Sequence, residues 1–259
     1  EGEVYHLNSR VTPFREGPAT IALAAARRAD RPIVIIPCGL RYYYLEDPMP
    51  ALLEVMDRVE DAMFWRPRPD LSLPDRVYRV AEGMLGLKEL EHLGAAGQGT
   101  IPDRIARLAD SVLKRVEEKY EIDADGKTVP ERIKQGRQQA IQAFEELDEG
   151  SDEYKSCTID LDDLFFAVQL FSYPGDYVSE EATIDRLAET IDKFEEDILN
   201  ARSPTVRAGR KVTAVFGEPI EVSTERKKDA GHELTLLVEQ SVQALLDSVP
   251  PPDRDFPTS

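Results

Sequence analysis

Two short β-type runs stand near opposite ends of this chain, and roughly 160 residues of helical pattern separate them. The first is Ile33-Val34-Ile35-Ile36, with a continuation over Leu40–Tyr44, and the second is Val212-Thr213-Ala214-Val215-Phe216. The helical segment is the size of a domain in its own right, so the chain is expected to hold two different units.

The local signals give that outline more detail. Gly17-Pro18 opens a helix over the small residues Ala19–Ala29, which Arg31-Pro32 ends. The β-branched run that follows is bounded by Pro32 and Pro37 and reads as a strand buried on both faces. A helix leading into such a strand predicts an α/β fold, with a mixed, mostly parallel sheet and flanking helices. Residues 51–64, 75–92, 101–120, 131–148, 160–171 and 179–200 carry helical spacing with acidic outer faces, and 179–200 opens behind Ser179. After Val212–Phe216, Gly217-Glu218-Pro219-Ile220 reads as a turn with a short β continuation, and Ala230–Ser248 as a final amphipathic helix. The expected organisation is an α/β first part at 1–45, an all-helical insertion at 46–208, a last strand and helix at 209–249, and a disordered tail at 250–259.

Charge follows the same division. Lys and Arg number 32 against 50 Asp and Glu, for a net charge of −18. Residues 1–45 carry +2 and residues 209–259 carry −3, which leaves −17 for the middle. A chain this acidic is not expected to bind nucleic acid, because phosphate affinity rests on a surplus of cations. A charge run of this kind is expected to be a solvated helix face. Cys38 and Cys157 stand far apart with no CxxC, so neither a disulfide framework nor a zinc site is expected. No apolar run approaches the ~18 residues that read as a membrane span.

Several chemistries are excluded by spacing. There is no GxSxG and no HExxH, and Gly94-Ala-Ala-Gly97-Gln-Gly99 lacks the strand that a dinucleotide loop follows, so it is expected to be a flexible loop. Asp123-Ala-Asp125-Gly126 would put Arg132 where a calcium loop needs a bidentate Glu, so it is expected to be a plain turn. Asp160, Asp162 and Asp163 are expected at a helix N-terminus, where the dipole favours carboxylates. Of His6, His92 and His232, none is followed five residues later by Asp, and His6 in the opening loop is a candidate for substrate contact.

Four short motifs occur in an ordered series: Glu1-Gly2, then Phe14-Arg15-Glu16-Gly17 at the head of a helix, then Ile36-Pro37 closing a strand, then Gly217-Glu218-Pro219-Ile220 after the last strand. The series resembles the glycerophospholipid acyltransferase family, which includes lysophosphatidic acid acyltransferases and tafazzin. The match covers 1–45 and about 209–248 and leaves the acidic middle aside. The resemblance implies transfer of a fatty acyl group from acyl-CoA or acyl carrier protein, as co-substrate, to a lysophospholipid such as 1-acylglycerol-3-phosphate. It implies no metal and no bound cofactor, and a place at the cytoplasmic face of a membrane as a peripheral protein.

On this resemblance Glu1, Gly2, Arg10, Arg15 and Gly17 are the substrate-binding candidates. Arg10 and Arg15 would meet the acceptor's phosphate in the chain's net-basic stretch, and Glu1 would order the pocket. Two departures bear on the chemistry. The family's His-x-x-x-x-Asp, which supplies the general base, is not in this sequence, so no catalytic residue is assigned and the chain is expected to be a C-terminal portion that is inactive by itself. Glu3-Val4 also follows Glu1-Gly2, where many members have Thr-Arg. The alternative reading is a non-catalytic acidic helical scaffold held by acyltransferase-derived flanks, since 46–208 is most of the chain.

Overall fold

The computed structural model describes residues 7–145, 147–172, 175 and 182–250. The expectations placed on Glu1, Gly2, His6, Ser179 and residues 251–259 lie outside the described residues. In chain order the elements are α1 (Gly17–Ala26), β1 (Val34–Ile35), β2 (Cys38–Tyr44), α2 (Met49–Ala62), α3 (Leu73–Leu93), α4 (Ile101–Lys119), α5 (Val129–Glu145), α6 (Asp152–Ser172), α7 (Ile184–Asp197), β3 (Arg210–Phe216), β4 (Ile220–Glu221) and α8 (Ala230–Ser248). The chain divides into two compact units, one drawn from residues 1–77 and 181–259 and the other from 78–180, with the boundary inside α3.

The mostly parallel α/β sheet expected from the sequence does not form. The protein is 57% helical, and its described strands make two small sheets, both antiparallel. β1 pairs with β4, setting Val34 opposite Glu221, and β2 pairs with β3 from Cys38 opposite Phe216 to Tyr44 opposite Arg210. The physical reason lies in the run Ile33–Ile36. A continuous β-branched stretch suits a strand buried on both faces, but here only Ile33 and Ile35 join a core, while Val34 and Ile36 remain exposed. The run is apolar on both sides without being covered on both.

The two sheets form one interrupted ribbon. Ile36-Pro37 faces Gly217-Glu218-Pro219, so two residues oppose three and the register slips by one, as at a β-bulge. Neither proline has an N–H to give the ladder. Backbone bonds continue the pairing around the break. The Gly217 N–H donates to the Pro37 carbonyl, Val222 N–H to Ile33 and Leu45 N–H to Gly209, each at 2.9 Å. One face of the ribbon lies on α8, where Gly39 permits the approach: a Cβ there would sit 3.2 Å from Leu246 Cδ2. α1 closes the other end of the same layer, with Ala19, Leu23 and Ala26 packed among Ile35, Ile220, Val222 and Leu234. In the same unit α2 and α7, both from within the expected 46–208 insertion, pack against each other.

The unit at 78–180 is helical. Leu108, Val112 and Val116 of α4 pack with Ile133 and Ala140 of α5 and Leu164 and Ala167 of α6. Thr100 caps α4, accepting from the Asp103 N–H at 3.3 Å, as Thr183 caps α7 in the other unit.

Most described acids of the middle are exposed, in keeping with a solvated face, but a minority depart from it. Glu60, Glu89, Glu117, Asp160, Asp163, Asp192 and Glu195 are buried, and each meets an Arg or Lys of its own unit. Three of these pairs repeat one spacing: Glu60 with Arg76, Glu89 with Arg104 and Glu117 with Arg132 lie 15 or 16 residues apart, across a loop. In the first two the same carboxylate also accepts a loop N–H, from Arg68 at 3.0 Å and from Gly97 at 2.7 Å. The Gly94–Gly99 segment is therefore tied down and not simply a flexible loop. A Cβ at Gly97 would fall 2.4 Å from Glu89 Oε1, so glycine is what lets the backbone reach the carboxylate.

Candidate functional site

Of the substrate-binding candidates, Arg10, Arg15 and Gly17 lie in the unit drawn from both ends of the chain. The segment 8–14, which precedes α1, is irregular, so its backbone groups need partners from elsewhere. Side chains supply them. The Asn8 amide pairs with the Tyr42 backbone in both directions, its Oδ1 accepting from the N–H at 2.8 Å and its Nδ2 donating to the carbonyl at 2.7 Å. Gln243 of α8 does the same around Arg10, accepting from the Val11 N–H at 3.0 Å and donating to the Ser9 carbonyl at 3.1 Å. One turn earlier on α8, Glu239 accepts from the Phe14 N–H at 2.8 Å. Arg10 is thus held in a strap clamped at both neighbours and is half-buried, while Arg15 and Gly17 are exposed at the start of α1.

Three of the four motifs fall within the described residues, and they share this layer. Phe14–Gly17 opens α1, α1 packs on Ile35 and Ile220, and Pro37 accepts the Gly217 hydrogen bond. The first motif, Glu1-Gly2, lies outside the described residues. Asn8, Glu239 and Gln243 were not singled out in the sequence. Asn8 reads there only as a loop residue, and the i,i+4 pair Glu239 and Gln243 looks like any polar face of an amphipathic helix.

Beside the strap, α1 and the first turn of α8 frame a cleft of about 410 Å³. Arg27, Lys227, Lys228 and His232 line it together with Glu16 and Asp229, and His232 Nδ1 lies 3.4 Å from Glu16 Oε1. Lys227 Nζ lies 3.7 Å from Glu225 Oε2, so acids and cations share the lining.

A second group of titratable side chains, in the helical unit, is structural. Lys119 bonds Asp160 and, at 2.7 Å, Ser156 Oγ, while the Tyr120 hydroxyl donates to Asp160 Oδ2 at 2.8 Å. Burial pushes the Tyr120 phenol far up, with Cys157 and Asp160 adding to the shift, so it stays a proton donor. The Cys157 thiol donates to the Ala140 carbonyl at 3.1 Å. With Lys119 engaged by a carboxylate, nothing here serves as a base for Ser156 or Cys157. The expectation that Asp160, Asp162 and Asp163 mark a helix N-terminus is corrected: α6 begins at Asp152, so all three lie mid-helix, Asp160 and Asp163 facing Lys119 and Arg115 of α4 and Asp162 exposed. His92 stacks on Phe166 at 5.1 Å with its Nδ1 4.0 Å from Asp163.

Among the described residues no cluster of His, Cys, Asp and Glu has the makings of a metal site, and no helix is long and apolar enough to cross a membrane. Comparisons with protein-family models, with curated proteins and with solved structures return no match.

Proposed function

We propose that this chain is the C-terminal portion of an O-acyltransferase that moves a fatty acyl group from acyl-CoA or acyl carrier protein to a lysophospholipid, working peripherally at the cytoplasmic face of a membrane. The observation that carries the reading is the direct contact between motifs that lie about 180 residues apart: the Gly217 N–H on the Pro37 carbonyl at 2.9 Å, with the helix of Phe14–Gly17 packed on Ile35 and Ile220.

In this reading Arg10 and Arg15 hold the acceptor's phosphate, Arg10 fixed by the Gln243 clamp and Arg15 placed at the mouth of α1. The acceptor hydroxyl attacks the thioester carbonyl, a C–O bond replaces the C–S bond, and the hydroxyl proton passes through the base to the departing thiolate. None of the three histidines has the His-x-x-x-x-Asp spacing, so the base belongs to sequence outside these 259 residues.

The scaffold reading keeps the exposed acids of the helical middle, but the buried ones are engaged within the fold. Glu60, Glu89, Glu117, Asp160 and Asp163 hold arginines and lysines of their own unit.

The test is acyl transfer from an acyl-CoA to lysophosphatidate, with product read by mass spectrometry. The 259 residues alone should give none, and a chain extended upstream to include a His-x-x-x-x-Asp should give product. In the extended enzyme Arg10→Ala and Arg15→Ala should each raise KM for lysophosphatidate about tenfold, leaving KM for the donor unchanged. Turnover by the 259 residues alone, or no transfer to any lysophospholipid by the extended chain, refutes the proposal.

A further inference from the structure

The ribbon's two faces are unequal. The covered face, toward α8, carries Gly39, Arg41 and Tyr43 opposite Val215, Thr213 and Lys211. The open face carries Leu40 and Tyr42 opposite Ala214 and Val212, Cys38 opposite Phe216, and Val34 (opposite Glu221) and Ile36 beyond the bulge, and it ends at Tyr44, which is buried opposite Arg210. Val34, Ile36, Leu40, Tyr42, Val212 and Phe216 are 43 to 69% exposed. An antiparallel sheet with one face in water places polar residues on the wet side, and a shift of one residue would have done so here. Instead the half-buried Arg41 and Thr213 occupy the covered side, with Lys211 exposed at its end, and the apolar set points outward.

We propose that this open face is a self-association surface, on which a second copy of the chain stacks ribbon against ribbon about a two-fold axis. The six large side chains leave roughly 600 Å² of apolar surface uncovered on each copy, taking about 150–250 Å² as the full extent of a large side chain. Two such faces bury about 1,200 Å², the lower end of what a specific, stable pair needs. Face-to-face sheets at a spacing of about 10 Å interdigitate side chains of this size, and a two-fold axis puts the same patch on both partners. A bilayer is the poorer occupant. Adsorption to a lipid surface calls for cations around the apolar patch. The charged residues flanking this one are mixed, the exposed Glu218 and Glu221 at one end and the exposed Arg210 and Lys211 at the other, on a chain of net charge −18. That charge also sets the salt dependence: screening reduces repulsion between copies, so pairing strengthens as salt rises.

Sedimentation equilibrium of the 259-residue chain, from about 1 µM to about 500 µM, should show a monomer–dimer equilibrium that tightens with added sodium chloride. Leu40→Thr and Phe216→Thr, which keep strand preference and remove apolar surface, should each weaken the dimer at least about tenfold. Ile21→Thr, at an exposed apolar position on α1, should leave it unchanged. Cys38 provides a second readout on the unmutated protein. It lies exposed on the proposed face, so its labelling by a bulky maleimide should slow as protein concentration rises, while Cys157 is buried. A monomer throughout the range, a dimer indifferent to both ribbon variants, or Cys38 labelling independent of concentration overturns the proposal. Co-flotation of a monomer with phosphatidylcholine–phosphatidylglycerol vesicles, lost in Phe216→Thr, overturns it in favour of a membrane.

Discussion

Glu89→Ala is expected to unfold much of the helical unit's stability in one step, because the carboxylate serves two partners from a buried position. Glu89 is 1% exposed and Arg104 is 4% exposed. Glu89 Oε2 accepts from Arg104 Nη2 and from the Gly97 N–H, both at 2.7 Å. Without it, Arg104 keeps only the exposed Glu82, at 3.4 Å, and the Gly97 amide loses its acceptor. Removing one member of a buried pair costs about 3–5 kcal/mol, since the remaining charge is left in a poor solvent. In a unit of about 100 residues, 3 kcal/mol lowers Tm by roughly 12–24 °C. Urea unfolding followed by far-UV circular dichroism measures the loss, as a lower midpoint at unchanged slope.

The double variant Glu89→Leu/Arg104→Met separates this cause from general damage. It removes both charges and should recover most of what Glu89→Leu alone loses. A cost for Glu89→Ala below about 1 kcal/mol, the range of an exposed pair, would refute the reasoning.

Other expectations follow from single contacts. Arg104's hydrogen bond holds the Glu89 carboxyl below its ordinary range, so its contribution is complete above about pH 4.3 and fades as pH falls through the lower folded value; the acid limb of Glu89→Gln should be shallower than that of the unmutated protein. Gln243→Leu frees the strap around Arg10, and hydrogen exchange at the Val11 amide should speed up about fivefold to tenfold for a bond worth about 1 kcal/mol. Gly39→Val presses on Leu245 and Leu246, which a Cβ would already meet at 3.3 and 3.2 Å, and should cost about 1–3 kcal/mol in thermal unfolding despite valine's strand preference.

Element positions were largely legible in the sequence because they are local properties. The expected final helix, Ala230–Ser248, has the bounds found, and 101–120 differs from α4 by one residue. Periodicity and helix-opening prolines act within a few residues, and no tertiary contact has to be known to read them. The direction of the sheet was not legible. Ile33–Ile36 presents apolar residues to both sides, and whether both sides are covered is decided by residues at the far end of the chain. The site was half legible for the same reason. Arg10 and Arg15 stand out by charge in an otherwise acidic chain, whereas Gln243 holds Arg10's neighbours from 232 and 234 residues away, a relation that no spacing rule encodes.

The acids show where composition misleads. A net charge of −18 describes the whole chain, not its surface, and a glutamate at helical spacing reads as solvent-facing unless its partner is known. The partner was within reach in this case. Glu60 and Arg76, Glu89 and Arg104, and Glu117 and Arg132 each place an acid near the end of one helix and an arginine in the first turns of the next. The bidentate guanidinium suits that geometry, as a lysine would not. Each pair fixes how a loop leaves one helix and enters another, and apolar packing alone would leave that angle free. Buried ion pairs add little net stability over apolar residues of the same size, so their repeated use here is better understood as setting helix register than as strengthening the core. On that account Glu89→Leu/Arg104→Met should fold nearly as stably as the natural pair and yet lose slow hydrogen exchange at Gly97, whose amide the carboxylate alone accepts.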